Sequence, residues 1–537
     1  MSKQFIVQTT LALLLIGSLS PLSAQPSDIP ADVYWGKELR EPGSSTIRKI
    51  IDVNKKGFYV LREKDQTGLT ASNTQKIFLE SYDNNMKLKK SNEIALKYKN
   101  KNLDLEDVLM VGGKIYLLSS YHNQAKKKNY LFTQEISRRN LQLRKTMTKI
   151  GEIDTRNKVQ EGYFDNHISR DSSKILIYNE LPYKKKEPER FALRVFDNQF
   201  NEIWSRNITL PYNDEIFNVE EYRVDNQGNV YLLGVVYSDR SRTRRKGKPT
   251  YQYTILAYTQ DGAEAEEYRI KLEDKFITDL TFRVANDGNL VCSGFYSDIG
   301  TYSIKGTYFL RLNANTKQVI TKNLKQFDFD FLTANLSDRK KAKVKDAEAR
   351  GKNTRQAELY QYSLDHLILR SDGGALLVAE QYFVQEESFR DFYYGRFTVN
   401  YFYNYNDIIV VNIRPDGEIE WATHIPKRQE TSNDGGYFSS YAMSIVRDRL
   451  YFIFNDNGRN FSANDRRLYN FDGQRNSVIS LAEVRKDGSL DVYPLFNNRE
   501  ADIITRPKVC KQSGKREMVI YGERGRKYKF AKLVFKG

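Results

Sequence analysis

The sequence predicts an all-β fold, an eight-bladed β-propeller of four-stranded antiparallel blades; a seven-bladed ring is the alternative. A hairpin pattern recurs eight times: a strand, a turn containing Asp, Asn or Gly, and a second strand rich in Tyr, Val and Leu. Such turn residues supply the positive φ angles that hairpins need. A second hairpin follows each of the first seven, so one unit holds four strands, here A to D. Four-stranded repeats in a fixed order are typical of β-propellers.

The repeated hairpins can be read directly along the chain. The A–B hairpin is clearest in EEYRVDNQGNVYLLGVVY, and the eight copies lie at 50–63, 107–120, 168–180, 220–237, 281–296, 367–383, 442–455 and 507–523. The C–D hairpins include those at 192–208, 254–270, 308–324, 409–425 and 480–495. Many of these strands are apolar on both faces, as expected when each blade packs between two neighbours.

The strand count predicts how the ring closes. The eighth unit ends in KYKFAKLVFKG (527–537), a C strand with no D strand after it, whereas DVYWGKEL (32–39) is an isolated strand near the N-terminus. D strands at 201–208 and 417–425 carry Trp at the place that matches Trp35. We therefore expect residues 32–40 to pair with 527–536 and to complete the last blade, because closure removes an exposed sheet edge.

The first residues predict export. Lys3, the largely apolar stretch 5–22 and the small residues before Gln25 are typical of a signal peptide at 1–24, cleaved near Ala24–Gln25. Residues 25–537 then form one propeller domain with no apolar run long enough to span a membrane. We expect a soluble, monomeric protein, periplasmic or secreted.

The net positive charge of the chain indicates which kinds of partner it could bind. The chain has 85 Lys and Arg against 68 Asp and Glu, a formal net charge of +17. Because an exported protein does not meet nucleic acid, we expect an acidic protein or a polyanionic glycan such as lipopolysaccharide as partner. The alternative is that the charge only aids solubility.

The connections differ between the two faces of the predicted ring. Strands of a blade alternate in direction, so A→B and C→D turns share one face, the short-turn face, and B→C and D→A connections share the other, the long-loop face.

A charged insertion at 337–362 favours a helix at about 338–350, and an aromatic loop insertion lies at 385–406. Long loops on a rigid scaffold are where binding usually occurs. The candidate binding residues are Lys126, Lys127, Lys128, Lys184, Lys185, Lys186, Arg240, Arg242, Arg244, Arg245, Lys246, Lys248, Tyr393, Tyr394, Tyr401 and Tyr403. The alternative is that these are solvated loops, with the aromatic segment forming an extra hairpin.

Two segments, FDNQFNEIW (196–204) and RPDGEIEW (414–421), resemble the tryptophan-docking repeats of quinoprotein-type eight-bladed propellers. The resemblance implies an outer strand whose Trp packs on the next blade. That superfamily includes non-catalytic assembly scaffolds at the bacterial outer membrane. Only three units carry Trp, and no adjacent cysteine pair or calcium-ligand set accompanies them, so we predict no cofactor.

No catalytic or metal site is predicted. The four histidines, His122, His167, His366 and His424, lie in separate units without metal-ligand spacing. Gly-x-Ser-x-Gly and sialidase-type Asp-box motifs are missing. The sequence therefore favours a non-catalytic binding or scaffold protein of the cell envelope. The alternative is a glycan-active enzyme that uses carboxylates in the central depression.

Overall fold

Eight four-stranded antiparallel blades surround a central channel in the structure, a computed structural model. It describes residues 29–43, 45–64, 76–155, 162–181, 187–213, 215–245, 247–301, 303–334, 336–351, 358–390, 397–462, 468–473 and 477–536. In each blade strand A contacts strand A of a neighbouring blade, as in blades 5 and 6, and strand D is outermost. The predicted eight-bladed fold is confirmed.

The first four blades follow the chain in order. Their strands A to D are Ser45–Asn54, Gly57–Lys64, Lys76–Tyr82 and Leu88–Ile94; Asp104–Val111, Lys114–Asn123, Lys128–Ile136 and Leu143–Asp154; Asp165–Ile168, Lys174–Leu181, Pro188–Asp197 and Glu202–Asn213; Phe217–Val224, Val230–Tyr237, Tyr251–Thr259 and Glu264–Ile270.

Blades 5 to 7 have the same order. Their strands are Phe276–Val284, Leu290–Ser297, Gly306–Leu312 and Val319–Gln326; Tyr362–Leu369, Ala375–Arg390, Phe397–Ile413 and Ile419–Ile425; Tyr441–Val446, Arg449–Asn457, Ser477–Val484 and Leu490–Asn497. In blade 8, strand A is interrupted by a 3-10 turn at Pro507–Val509. The pieces of this strand are Ile504–Thr505 and Lys511–Gly514, and strands B and C are Glu517–Arg524 and Lys527–Phe535.

The N-terminal segment supplies strand D of blade 8. Ala31–Trp35 pairs antiparallel with residues 531–535 of strand C. Leu39–Arg40 continues the pairing with residues 527–528. The predicted pairing of the N-terminal strand with the last C strand is therefore confirmed, and both edges of strand C are covered.

Packing between blades explains why the strands are apolar on both faces. Strand B of blade 5, Leu290–Ser297, is buried along its whole length. One apolar cluster joins blades 4 and 5 through side chains that include Leu233, Ile255, Phe282 and Leu310. Since each blade buries both faces, the hydrophobic effect stabilises the ring as a whole.

Two outer-strand tryptophans connect neighbouring blades. The indole N–H of Trp204 in blade 3 donates to the carbonyl of Gly228 in the A→B turn of blade 4, at 2.9 Å. Trp421 in blade 6 donates in the same way to the carbonyl of Lys486 in the C→D turn of blade 7, at 2.9 Å. Both therefore pack on the following blade, as the docking motif implies.

Trp35 packs in a different way. Its ring meets Phe496 of blade 7 edge-on, with centroids 4.9 Å apart, and the side chain stays 39% exposed. The third tryptophan therefore packs the closing strand against the preceding blade.

Extra elements decorate the long-loop face. Within the predicted insertion 337–362, a helix spans Asp338–Ala349, and among its described side chains Val344 is buried. Leu359–Tyr360 pairs with Ser303–Ile304 of blade 5. The other elements of the described residues are short: strand pairs Lys97–Tyr98 with Lys101–Asn102 and Arg244–Arg245 with Lys248–Pro249, strand Glu430–Ser432, helices Phe329–Leu332 and Asn498–Ala501, and the 3-10 turn Gly458–Phe461.

Candidate functional site

The blade 2 lysines differ from one another in what they contact. Lys126 and Lys127 are exposed in the B→C turn. Lys128 begins strand C, where its ammonium lies 2.6 Å from Glu152 and 3.3 Å from Asp154. Hydrogen bonding to Lys128 holds the pKa of Glu152 down at about 2. Lys128 is thus engaged within its blade, and Lys126 and Lys127 are presented to solvent.

The blade 4 basic segment forms a small hairpin, because Arg244–Arg245 pairs with Lys248–Pro249. Arg240 lies over the ring of Tyr237, 5.5 Å from its centroid. Arg242 and Arg245 are exposed. Lys248 contacts Asp274 at 3.0 Å in an exposed pair. Arg244 reaches toward the carbonyl of Ile299 in blade 5, at 3.5 Å.

Several predicted binding residues fall on parts of the chain that the structure leaves out. Lys184, Lys185, Lys186, Lys246, Tyr393 and Tyr394 lie outside the described residues. The blade 3 lysines would link the clusters of blades 2 and 4. The continuous basic arc across three blades therefore remains a prediction.

The described part of the aromatic insertion at 385–406 is a hairpin extension, which is the alternative that the sequence left open. Strand B of blade 6 continues to Arg390, and strand C begins at Phe397. The two strands pair along this extension. Alternation of β-branched and aromatic residues favours strand over loop here. Tyr401 is 41% exposed on the extension, and Tyr403 is half-buried.

A groove beside the blade 4 hairpin was not predicted. It encloses about 780 Å³ and is lined by Tyr212, Tyr237, Tyr251 and Tyr253, with Lys248 at its rim. The hydroxyl of Tyr251 donates to the carbonyl of Ile277 at 2.6 Å, which fixes the ring. Strand D of blade 4 adds Arg269 to this groove, and the D→A connection from blade 4 to blade 5 adds Lys271 and Lys275.

The innermost strands share a repeated irregularity. Strand A of five blades carries a β-bulge with a polar extra residue, which is Arg48, Glu106, Glu220, Thr278 or Asp365; strand A of blade 1 has a second irregularity at Ile51. A bulge leaves one residue outside the ladder and redirects its side chain. Each of these five polar residues follows an apolar residue and precedes a polar one. The period-two alternation of the sequence cannot reveal such a residue, because the bulge shifts the alternation.

Two channel aspartates carry perturbed acidities. Burial raises the pKa of Asp279 to about 6, while a backbone hydrogen bond from Leu364 partly opposes the rise. Burial also raises the pKa of Asp365 to about 6, and the hydroxyl of Tyr441 donates to it at 2.7 Å. The Asp365 side chain keeps solvent exposure, while the surrounding protein partly desolvates its carboxyl group. The negative charges of Glu220 and Asp365 raise the pKa of Asp279 further.

Histidines and metal-ligating groups do not converge in the described part of the chain. His366 follows Asp365 in the channel, and burial lowers the pKa of its ring. Across the described ranges, no group of three or more His, Cys, Asp or Glu side chains is placed to hold a metal ion. Within the same ranges no helix has the length and apolarity to cross a membrane.

Comparisons with known proteins identify no family for this chain. No protein-family model matches this chain, and no curated protein matches it. Among solved structures, the polysaccharide lyase Uly1 is similar over 92% of this chain and 90% of its own, at 9% identity and a TM-score of 0.39. The β-propeller domain of the Trilobed protease from Pyrococcus furiosus is similar over 87% and 97%, at 12% identity and a TM-score of 0.33. The WD40 domain of SCAP from fission yeast is similar over 81% and 92%, at 9% identity and a TM-score of 0.28. The functions of those proteins do not transfer at this level of similarity.

Proposed function

We propose that the protein is a non-catalytic binding module of the bacterial cell envelope that holds a polyanionic glycan on its long-loop face. The observation that carries the proposal is the tyrosine-walled groove beside the basic hairpin of blade 4. Tyr rings combine an apolar face with a hydroxyl group, and sugars share this mixture. Arginine forks match carboxylate and sulfate groups.

The charge balance of the groove supports an acidic ligand. Lys275 pairs with Asp298 and Lys248 with Asp274. Arg242 and Arg245 add exposed positive charge on the adjoining hairpin. Both ion pairs are solvent-accessible, so exchanging one carboxylate partner for a ligand carboxylate has a small cost. An anionic chain running along the groove would therefore gain charge and aromatic contacts together.

Export and a role as an outer-membrane assembly scaffold belong to the same proposal. The signal peptide predicted at 1–24 lies outside the described residues. The docking of Trp204 and Trp421 on following blades agrees with the scaffold-type propeller resemblance. An acidic protein partner would use the same face.

The first experiment removes the basic segment. Six residues are changed to Ser: Arg240, Arg242, Arg244, Arg245, Lys246 and Lys248. We expect this variant to elute from heparin-like and lipopolysaccharide matrices at much lower salt than wild type, because exposed charge acts through counterion exchange and is screened by salt. A control variant loses six cations from short-turn positions instead, also to Ser: Lys55, Lys56, Lys87, Arg139, Lys317 and Lys515.

The comparison between these variants decides the proposal. Equal elution of the hairpin variant and its control would contradict it, since net charge alone would then govern retention. A further variant, Tyr237→Ala, separates sugar from protein. Weaker retention on the glycan matrices, with unchanged retention on a plain sulfonate resin, would indicate a glycan groove. Unchanged retention on all of them would favour an acidic protein.

A second candidate function is glycan cleavage in the channel, which the raised pKa values of Asp279 and Asp365 favour. A carboxylic acid that titrates near pH 6 can serve as a general acid. The test is incubation with acidic polysaccharides and measurement of new reducing ends. Activity that Asp365→Asn abolishes, with folding intact, would establish an enzyme, and its complete absence from wild type would leave the binding proposal.

A further inference from the structure

A second cluster of cations lies at the opposite end of the channel, on the short-turn face. The ends of the A strands of blades 3 to 6 surround a cavity of about 370 Å³ there. His167, Arg223 and Arg283 occupy the same repeat position, two residues before the A→B turn of blades 3, 4 and 5. Arg170, in the turn of blade 3, adds a third guanidinium to the lining. This group is called the channel-mouth cluster below.

The two strand arginines share one carboxylate. Glu221 contacts Arg223, and the same oxygen lies 3.7 Å from Arg283. The side chains of Arg223 and Arg283 are 20% and 24% exposed, so each is mostly removed from water. Among the described residues, the buried Nε of Arg223 has no hydrogen-bond partner. Arg283 also donates to the carbonyl of Phe282 at 2.6 Å and to the hydroxyl of Thr281 at 3.3 Å. These acceptors are neutral, so two positive charges still share the one negative charge of Glu221.

Asp225, the acid that lines the cavity, already has hydrogen-bond partners. Asp225 accepts hydrogen bonds from the backbone N–H groups of Gln227, Gly228 and Asn229 at 2.8–2.9 Å, which hold the A→B turn of blade 4. Its second oxygen accepts from the Asn229 side chain at 2.9 Å. Asp225 thus serves its own turn.

His167 meets a donor on each ring nitrogen. The backbone N–H of Val224 points at Nδ1 from 3.2 Å, and Nη1 of Arg223 lies 3.2 Å from Nε2. Burial lowers the pKa of His167 to about 4, with the positive charges of Arg223 and Arg283 as further causes, so the ring is neutral at pH 7. A neutral imidazole carries one N–H and offers one acceptor. In one of the two contacts, therefore, the imidazole N–H faces another N–H donor and no hydrogen bond forms between them.

An oxyanion would resolve these features together. An oxygen placed between His167 and Arg223 would accept from both, and a second oxygen would meet Arg283. Charge-assisted hydrogen bonds of this kind, especially to guanidinium forks, are the strong ones. The remaining wall is partly apolar, with Ile168, Val284 and Leu367. A bare inorganic ion would leave this wall and much of the cavity unused.

We propose that the channel-mouth cluster binds the oxyanion group of a small organic molecule of about monosaccharide size, with Arg223, Arg283 and His167 as its partners. The site is separate from the long-loop groove and does not depend on the function proposed for that face. Its volume falls in the range of small-molecule pockets. A sugar phosphate and a sugar acid share the required chemistry.

The test measures binding of four probes to the full-length mature protein by calorimetry at pH 7 and low salt. The probes are glucose 6-phosphate, glucuronate, inorganic phosphate and glucose. We expect saturable binding of at least one organic anion, weaker binding of phosphate and none of glucose. The ratio of affinities for the phosphate and the acid distinguishes the two sources.

Variants locate the site. Arg223→Gln and Arg283→Gln should each weaken binding by about tenfold or more, the usual effect of losing one charge-assisted contact. Arg223→Lys should restore part of it, because charge returns without the fork. Arg311→Gln removes an arginine of the same face that pairs with Asp287, and it should leave binding unchanged.

Three outcomes would overturn the proposal. No binding of any anion by wild type at 10 mM, a concentration at which even a millimolar site would be filled (about 4 kcal/mol), contradicts it without any variant. Equal affinity of wild type and a folded Arg223→Gln/Arg283→Gln double variant places any binding elsewhere. Phosphate binding as tightly as either organic anion would contradict the organic ligand.

Discussion

Arg62 and the pair Arg223 and Arg283 are arginines on or beside inner strands. They differ in how far neighbouring groups neutralise their positive charge. Arg62 is completely buried where blade 1 meets blade 8, and Glu80 accepts from its Nε at 2.9 Å and from its Nη2 at 3.4 Å. Its guanidinium lies 4.6 Å from the ring centroid of Tyr528. At the channel mouth, two guanidiniums share a single carboxylate.

The acidities show the same contrast. Glu80 and the neighbouring ring of Tyr528 more than offset burial, so the pKa of Arg62 is raised. Burial lowers the pKa of Arg223 to about 9 even though Glu221 contacts it, and burial lowers that of Arg283 to about 10. All three stay charged at neutral pH. The difference teaches that compensation, more than burial, separates a structural arginine from one that is available to a ligand.

The largest expected effect is a loss of stability on replacing Arg62, the arginine whose charge is fully paired. Replacing Arg62 with Met leaves the carboxylate of Glu80 buried without its partner. Breaking a buried pair in this way costs about 3–5 kcal/mol. We expect the free energy of unfolding to fall by that amount in urea denaturation. A loss below about 1 kcal/mol, the size of a surface pair, would remove the distinction.

A double variant supplies the control. Arg62→Met combined with Glu80→Met replaces the pair by apolar side chains, and it should recover much of the lost stability because no buried charge is left. Failure to recover would mean that the hydrogen bond from Tyr82 to Glu80, at 2.6 Å, or the packing on Tyr528 dominates the effect.

Much of the fold follows from counting and parity, whereas the channel does not. The orphan strand around Trp35 and the unmatched strand at 527–537 predict ring closure, because eight first hairpins and seven second hairpins leave one gap. Alternating strand direction predicts which connections share a face. Neither argument depends on side-chain detail, so both survive irregularities within the strands.

The channel-mouth cluster was missed for a physical reason. Its members come from three units, with His167 and Arg223 separated by 56 positions, and convergence depends on the register of each inner strand. Bulges such as the one at Glu220 shift that register. A usable signal was present, however. Aligning the units on their A→B turns places His167, Arg223 and Arg283 at one repeat position.

A smaller effect extends the comparison to acids. The pKa values of Asp279 and Asp365 are raised to about 6, above the ordinary 3.8. Between about pH 4 and 6 the folded state therefore binds more protons than the unfolded state, so stability from these groups is fully present at low pH and is lost as pH rises through 6. Asp279→Asn with Asp365→Asn should remove that fall in a series of melting temperatures from pH 4.5 to 7.5.

Asp287 provides the matched control for this titration. It accepts from the backbone of Asn289 and pairs with Arg311, and its pKa is lowered despite burial. Its contribution is present above the ordinary pKa and is lost as pH falls, which is the opposite sign. Asp287→Asn should therefore cost more stability at pH 7 than at low pH. Equal pH profiles for the two variants would contradict the assignment of compensated and uncompensated acids.

The smallest change in the free energy of unfolding is expected at Arg223, in the channel-mouth cluster. Arg223→Gln removes a contact with Glu221, but it also removes a charge that is repelled by Arg283 and incompletely paired. These changes oppose one another, so we expect the free energy of unfolding without ligand to change by less than about 1 kcal/mol. Urea denaturation of this variant beside Arg62→Met measures the two arginines on one scale. A loss of about 3 kcal/mol or more would show that Arg223 is structural, as Arg62 is, since Glu221 could not then tolerate its removal. Near-neutral behaviour would show instead that the channel mouth keeps a charge that folding does not require.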